Sequence, residues 1–214
     1  AITAIHKIGT DGLSMRVTAS GIVAGWLLNQ FSMDERDGYL RVATTTSWEN
    51  QENAVYVLDH DLEEVGALEG LAPDERIYSA RFIGDRLYLV TFLQMDPLFV
   101  IDLRNPSDPV MMGQLEMPGF SSYLHPVGDG YLVGIGQENG TVKVSLYDVR
   151  DARDPKEVGK YLVDSDYSWT AAMWDHKAVT YDPLHQVLVI PLETYDYEIW
   201  NESFLGSAVF GISS

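Results

Sequence analysis

The hydrophobic positions of this chain recur in short runs that favour strands over helices. Residues 77–83 alternate, with Ile77, Ser79, Arg81 and Ile83 on one side and Tyr78, Ala80 and Phe82 on the other. That is the two-residue period of a half-buried strand. Gly84-Asp85 then turns the chain. Residues 87–93 are almost continuously apolar, as expected of a strand buried on both faces. Asp96-Pro97 marks a second turn, residues 98–103 a third strand, 104–109 a loop and 110–117 a fourth strand. Residues 61–71 could be read as a short helix, but their Val65-Gly66 aligns with the fourth strand of later copies, so they are assigned to a strand.

This four-strand unit repeats. Residues 102–113 and 148–159 both read D-[LV]-R-x-x-x-D-P-x-x-x-G, 46 positions apart. A shorter copy occupies 54–59 and 65–68, with its Gly66 lying 47 positions before Gly113. Polar turns ahead of β-rich runs recur at Asp37-Gly38, Asp85-Arg86, Asp129-Gly130 and His185-Gln186, the last after an insertion. A fixed period with four strands per copy predicts an all-β chain, a β-propeller of about four blades of four antiparallel strands. A sandwich or a meandering barrel shares the strand lengths but not the period. The blades are expected at roughly 27–71, 72–118, 119–163 and 171–212, with strands inside 2–19 completing an adjacent blade. The last unit offers strands at 176–181, 187–192 and 208–212 and no fourth. Open edges of this kind are expected to be shared across the termini or between two chains, so a homodimer through propeller edges is the anticipated association.

Several longer motifs are distinctive. They are residues 27–35 (LLNQFSMDE) followed by 38–46 (GYLRVATTT), then 71–73 (LAP) leading to 77–85 (IYSARFIGD), and finally 96–103 (DPLFVIDL), 123–126 (YLHP) and 175–178 (DHKA). Together they resemble the secreted or membrane-anchored prokaryotic proteins with a C-terminal β-propeller domain, distantly related to WD-repeat proteins. The resemblance runs from about His6 to Ile212. It implies an extracytoplasmic address, an export or anchoring segment outside this sequence, and no established reaction. Members usually carry a longer propeller region, so the chain is expected to correspond to the C-terminal half of that domain.

Charge narrows the partners. The 214 residues carry 14 Lys and Arg against 32 Asp and Glu, a formal charge of −18. Binding a nucleic-acid backbone needs clustered cations, so no nucleic-acid partner is expected. Anionic lipid is disfavoured for the same reason. No apolar run approaches the roughly 20 residues of a spanning helix, so direct membrane insertion of this segment is not expected. The absence of cysteine removes disulfides, thiolate nucleophiles and Cys-ligated metals. Asn139-Gly140-Thr141 and Asn201-Glu202-Ser203 match the N-glycosylation pattern, which matters only in a glycosylating pathway.

Candidate chemistry is sparse. Asp37, Asp85 and Asp129 precede second strands, and Asp59, Asp102 and Asp148 close third strands. Such carboxylates could bind cations, but one copy per blade fits better with Asp side chains accepting turn N–H groups. His6, His60, His125, His176 and His185 are scattered, one per element, without a paired metal spacing. A catalytic zinc with its three protein ligands is therefore not expected. No cofactor is expected, although oxygen-rich turns leave room for a structural calcium ion. Asp164-Ser165-Asp166 resembles half of a calcium loop but lacks its glycine and closing glutamate. Gly134-Ile135-Gly136 lies between strands, without the helix N-terminus a phosphate cradle needs, and no G-x-S-x-G is present.

Asp175-His176 opens the last unit and reads either as a catalytic or metal constellation or as a blade-anchoring histidine; His125-Pro126 holds a comparable place. The insertion 193–206 sets Tyr195, Tyr197, Trp200 and Phe204 among acidic residues, as a recognition surface or as an extended hairpin against the propeller side. The binding candidates are thus His125, Asp175, His176, Tyr195, Tyr197 and Trp200, and no catalytic residue is named. The expected function is an extracytoplasmic binding or interaction module for a protein or other extracellular ligand, with no evident catalytic activity. The alternative is a hydrolase or other enzyme, metal-dependent or not, with its site on the top face of the propeller.

Overall fold

The computed structural model describes residues 1–46, 51–92, 96–196 and 201–212. Its strands are β1 (Ile2–Asp11), β2 (Ser14–Ala24), β3 (Met33–Arg36), β4 (Tyr39–Thr45), β5 (Asn53–Leu58) and β6 (Glu64–Leu71). Next come β7 (Arg76–Ile83), β8 (Arg86–Phe92), β9 (Asp96–Asp102), β10 (Val110–Met117), β11 (Phe120–Pro126), β12 (Tyr131–Glu138), β13 (Thr141–Asp148) and β14 (Lys156–Leu162). The last are β15 (Tyr167–Trp169), β16 (Thr180–Asp182), β17 (Val187–Asp196) and β18 (Asn201–Gly211). Among the described residues, the helical segments are 3-10 turns of three residues, and no helix is long and apolar enough to cross a membrane.

Three sheets take four strands each in chain order, β3–β6, β7–β10 and β11–β14, and β1 pairs with β2 in a sheet of two. The chain divides into two compact units. One holds Ala1–Leu93 with Phe99–Met112, the other Gln94–Leu98 with Gly113–Ser214.

In the first unit the sheet β3–β6 is covered on both faces, and the two-residue strand period sorts its side chains. Val42, Ala54, Tyr56 and Leu58 pack with Val23 of β2 and with Leu62. The alternate positions Ala43, Val55 and Val57 pack with Ile77, Ala80, Leu87, Leu89, Phe99 and Ile101 of the next sheet. This is why β5 is apolar at nearly every position and buried throughout. The fourth strand β6 is mostly half-exposed or exposed. Leu89, Val100 and Leu132, expected in the core, are 0%, 0% and 1% exposed.

The repeated glycine has a steric reason. A Cβ on Gly21 of β2 would stand 2.4 Å from the Leu62 carbonyl oxygen, and one on Gly66 of β6 would stand 2.3 Å from that of Pro106. In the second unit a Cβ on Gly113 would stand 2.7 Å from the carbonyl oxygens of Ala152 and Arg153. β2, β6 and β10 thus each receive, at this glycine, the loop that links the third and fourth strands of the next sheet. No side chain fits at those distances.

Three expectations change. Asp96-Pro97 belongs to β9 and is not a turn. The first strand of the last sheet is broken. β15 and β16 pair with opposite ends of β17, and His176–Ala178 between them forms a 3-10 turn instead of a strand. The reason is local: the Asp175 side chain accepts from Lys177 N at 2.9 Å, and the Asp175 and His176 carbonyls accept from Ala178 N and Val179 N. Such Asx capping competes with ladder formation. The third strand of that sheet is also longer than 208–212, because β18 pairs with β17 from Val187↔Gly211 to Asp196↔Asn201. The insertion therefore builds an extended hairpin, and its exposed Phe204 and Leu205 keep a recognition surface open.

Leu89→Ala is expected to cost about 2–5 kcal/mol, the range for a fully buried leucine. Gly66→Ala, which forces a loop backbone away, is expected to cost about 1–3 kcal/mol. Both are read as lowered urea midpoints at unchanged slope; an unshifted midpoint for either would refute the corresponding packing assignment.

Candidate functional site

An apolar-walled cleft lies in the first unit, where β1 passes β3 and the loop joining β5 to β6. It encloses about 510 Å³. Ile5, Met33, Leu40 and Leu62 give it apolar walls, and His6, Lys7, Glu35, Asp59 and His60 give it a polar rim. Backbone conformation places these groups. Leu62 has a left-handed φ of 64°. The loop before it is tied by Asp59 Oδ1, which accepts from Asp61 N at 2.9 Å and from Glu63 N at 3.0 Å. Lys7 Nζ donates to the His60 carbonyl at 3.0 Å and pins the hairpin to that loop. His6 Nδ1 lies 2.9 Å from Ser20 Oγ. Glu35 Oε1 accepts from Gly38 N at 3.0 Å.

The sequence pattern gave no hint of this pairing. His6 and His60 read as scattered, yet both line one cleft, because the hairpin lies against the next sheet. The reading of strands inside 2–19 as part of an adjacent blade placed the hairpin beside that sheet but named no residue of the cleft.

A second cleft of about 320 Å³ in the same unit is lined by Arg36, Arg41, Arg104, Asp37 and Asp85. Its arginines are committed to structure. Arg36 Nε lies 2.8 Å from Asp85 Oδ1. The buried Arg41 pairs with Asp34, donates to the Gly84 carbonyl at 2.8 Å and lies over the Phe82 ring. These contacts tie β3 and β4 to the β7–β8 turn.

The residues singled out from the sequence lie in the second unit. His125 sits on β11, with Nδ1 3.1 Å from the Tyr123 hydroxyl and its ring 5.5 Å from that of Tyr181, edge to face. Asp175 caps the 3-10 turn, and His176 Nδ1 lies 4.0 Å from its carboxylate. Tyr195 donates to Glu193 Oε2 at 3.0 Å and its ring lies 6.0 Å from that of Tyr167. It lines a polar cleft of about 410 Å³ together with Asp164, Ser165, Asp166, Thr194 and Asp196, which joins the half calcium loop and the insertion in one place. Tyr197 and Trp200 lie outside the described residues. Among the described residues no three His, Asp or Glu side chains are grouped so as to hold a metal ion.

The aspartates that close third strands, Asp59, Asp102 and Asp148, accept turn N–H groups. Asp102 accepts from Arg104 N and pairs with the Arg104 guanidinium, and Asp148 repeats the arrangement with Arg150. Asp182 caps the 182–185 turn in the same way, with His185 Nδ1 2.6 Å from its carboxylate.

A family model described as a beta propeller domain matches residues 1–214. The chain belongs to this family. Curated relatives of the propeller include an uncharacterized protein of Methanocaldococcus jannaschii, 44% identical over 200 residues, covering 91% of this chain and 31% of that protein. A second uncharacterized protein, from Archaeoglobus fulgidus, is 46% identical over 189 residues, covering 87% and 30%. The propeller thus spans under a third of the length of these relatives. Among solved structures, Citrobacter koseri AztD aligns with a TM-score of 0.50 at 15% identity, over 92% of this chain and 49% of that one, a likeness of fold.

Side-chain hydrogen bonds from Arg104 and Arg150 hold the Asp102 and Asp148 carboxyls below their ordinary value, and a bond from His185 does the same at Asp182. A carboxyl depressed in the folded state stabilises the fold above its unfolded pKa of about 3.9. That stability is lost as pH falls through the folded-state value. The melting temperature is therefore expected to drop as pH falls below about 4, and D102N/D148N to flatten that drop. At neutral pH the double variant should lose little, since solvent screening leaves exposed ion pairs with little net stability. Calorimetry across this pH range checks both, and an acid limb unchanged in the variant refutes the assignment.

Proposed function

We propose that this chain is a non-catalytic binding module, working outside the cytoplasm as part of a longer propeller protein, and that it takes an extended polypeptide in the cleft of its first unit. The observation that carries this reading is the cleft itself. Its volume and apolar walls fall in the range of ligand sites, and its few polar groups sit at the rim where they orient a ligand. The rim carries both signs, Lys7 against Glu35 and Asp59, which suits a peptide better than a uniformly charged ligand. β1 borders the cleft and pairs only with β2 among the described residues. The extracytoplasmic address is supported by the motif resemblance, and protease shaving of intact cells, with release of propeller fragments, is its test.

For the cleft, random peptides displayed on phage are selected on the 214-residue chain and the winners measured by calorimetry. Peptides held in the cleft should lose at least tenfold in affinity to I5S/L40S while that variant keeps a cooperative melt. Winners that bind the variant unchanged, or a selection that enriches nothing, would reject the cleft.

A further inference from the structure

The second unit holds a cleft whose chemistry is the reverse of the first. About 410 Å³ lies between the segment that leads into β15 and the end of β17, lined by Asp164, Ser165, Asp166, Thr194, Tyr195 and Asp196. Each lining residue carries a side-chain oxygen, three are carboxylates, and no Lys, Arg or His stands among them. The pairing of β15 with β17, Tyr167↔Tyr195 and Ser168↔Thr194, brings the two walls together.

Acidic residues at a surface are ordinary, but the hydroxyl of Thr194 is not. Thr194 is 8% exposed, and its backbone is flanked by Ser168 of β15 on one side and Phe204 of β18 on the other. Among the described residues its Oγ1 has no hydrogen-bond partner, and the side chain lines the cleft. The unpartnered hydroxyls of Thr44 and Ser145, by contrast, are sealed from solvent. Buried polar groups are normally hydrogen-bonded, and a ligand in the cleft supplies the partner that the protein does not.

The remaining groups define that ligand. Ser165 Oγ donates to the Tyr167 carbonyl at 3.2 Å, and the Tyr195 hydroxyl donates to Glu193 Oε2 at 3.0 Å. Their protons are committed and their lone pairs remain, while the ionised carboxylates only accept. The cleft therefore offers acceptors and negative charge, and a matching ligand brings N–H donors and positive charge. A bare metal ion does not match, because among the described residues no three acidic or histidine side chains are grouped to hold one. An alkylammonium brings three N–H donors and no acceptor. Tyr195, its ring 6.0 Å from that of Tyr167, adds an aromatic wall of the kind that such cations favour. We propose that this cleft binds a protonated alkylamine, seated by the carboxylates of Asp164, Asp166 and Asp196 and by Thr194 Oγ1. Free polyamines and lysine side chains both carry that group. The site is separate from the cleft of the first unit and does not depend on it.

The 214-residue chain is titrated by calorimetry with spermidine and, separately, with Nα-acetyl-lysine amide. Ionic strength is held fixed, because a chain of formal charge −18 attracts any cation diffusely. Saturable 1:1 binding is expected. Tighter binding of spermidine assigns the site to a polyamine, and tighter binding of the lysine amide assigns it to a lysine side chain. T194V is the decisive variant. It removes a hydroxyl with no protein partner and keeps shape and charge, so the melting temperature should hold while affinity falls at least fivefold. D164N/D196N should bind at least tenfold more weakly. D11N/E116Q removes the same charge from exposed positions elsewhere and should change affinity less than twofold. Unchanged affinity in T194V, an equal loss in D11N/E116Q, displacement of the amine by equimolar calcium, or no saturable binding of either amine would overturn the proposal.

Discussion

The structure depends on how closely one sheet can approach the next. A blade of four antiparallel strands exposes two apolar faces and cannot bury either alone. Sheet stacking solves this only if the loop between third and fourth strands can settle onto the neighbouring fourth strand without a side chain in the way. Gly21, Gly66 and Gly113 provide that clearance, with loop carbonyls 2.3–2.7 Å from where a Cβ would stand. A methyl group at any of these positions would hold the sheets apart and loosen the dispersion contacts of every residue between them. The glycine is the smallest part of the repeat and the one with the least freedom to vary.

Once the sheets are in contact, polar groups settle the loops. The chain is strongly acidic, but many of its carboxylates are occupied locally. Asp59, Asp102, Asp148, Asp175 and Asp182 each accept backbone N–H groups two or more residues on. Cations are spent in the same way: Arg36 and Arg41 reach the β7–β8 turn, and Arg104 and Arg150 return to the aspartate two residues before them. Exposed pairs of this kind add little stability individually. Their effect is to fix loop shape, so that the carbonyl meant for the neighbouring glycine points at it.

The regular part of this architecture was legible in the sequence. Alternation in 77–83, the apolar run beginning at Leu87 and the D-P-x-x-x-G spacing translate directly into β7, β8 and the β10 and β14 glycines, because strand period and repeat length are local properties. The irregular parts were hidden for equally physical reasons. Residues 176–181 have strand-like composition, but the Asp175 cap stabilises a turn within one residue's reach, and periodicity does not register a single competing hydrogen bond. The pairing of β17 with β18 through Asp196↔Asn201 depends on a register across the hairpin, which composition does not fix. The cleft of His6 and His60 joins residues on different sheets, and spacing along a chain says nothing of packing between sheets.

That contrast bears on where function can reside. In a repeat fold, a residue type that returns in each blade is already explained by the blade, as the turn aspartates and the fourth-strand glycines are. Freedom to bind something else exists where the period is broken and its groups are not consumed by a neighbour. Inside the chain the last sheet breaks the period, with its first strand divided between β15 and β16 and its β17–β18 pair carried out to Asp196↔Asn201. The cleft of the first unit draws its lining from β1, β3, β4 and the loop joining β5 to β6, so it is a product of packing between sheets and not of one repeat unit. Its polar groups stand around apolar walls. A ligand that suits it must therefore combine apolar side chains with hydrogen-bonding groups of both kinds, and a polypeptide is a ligand class with that composition.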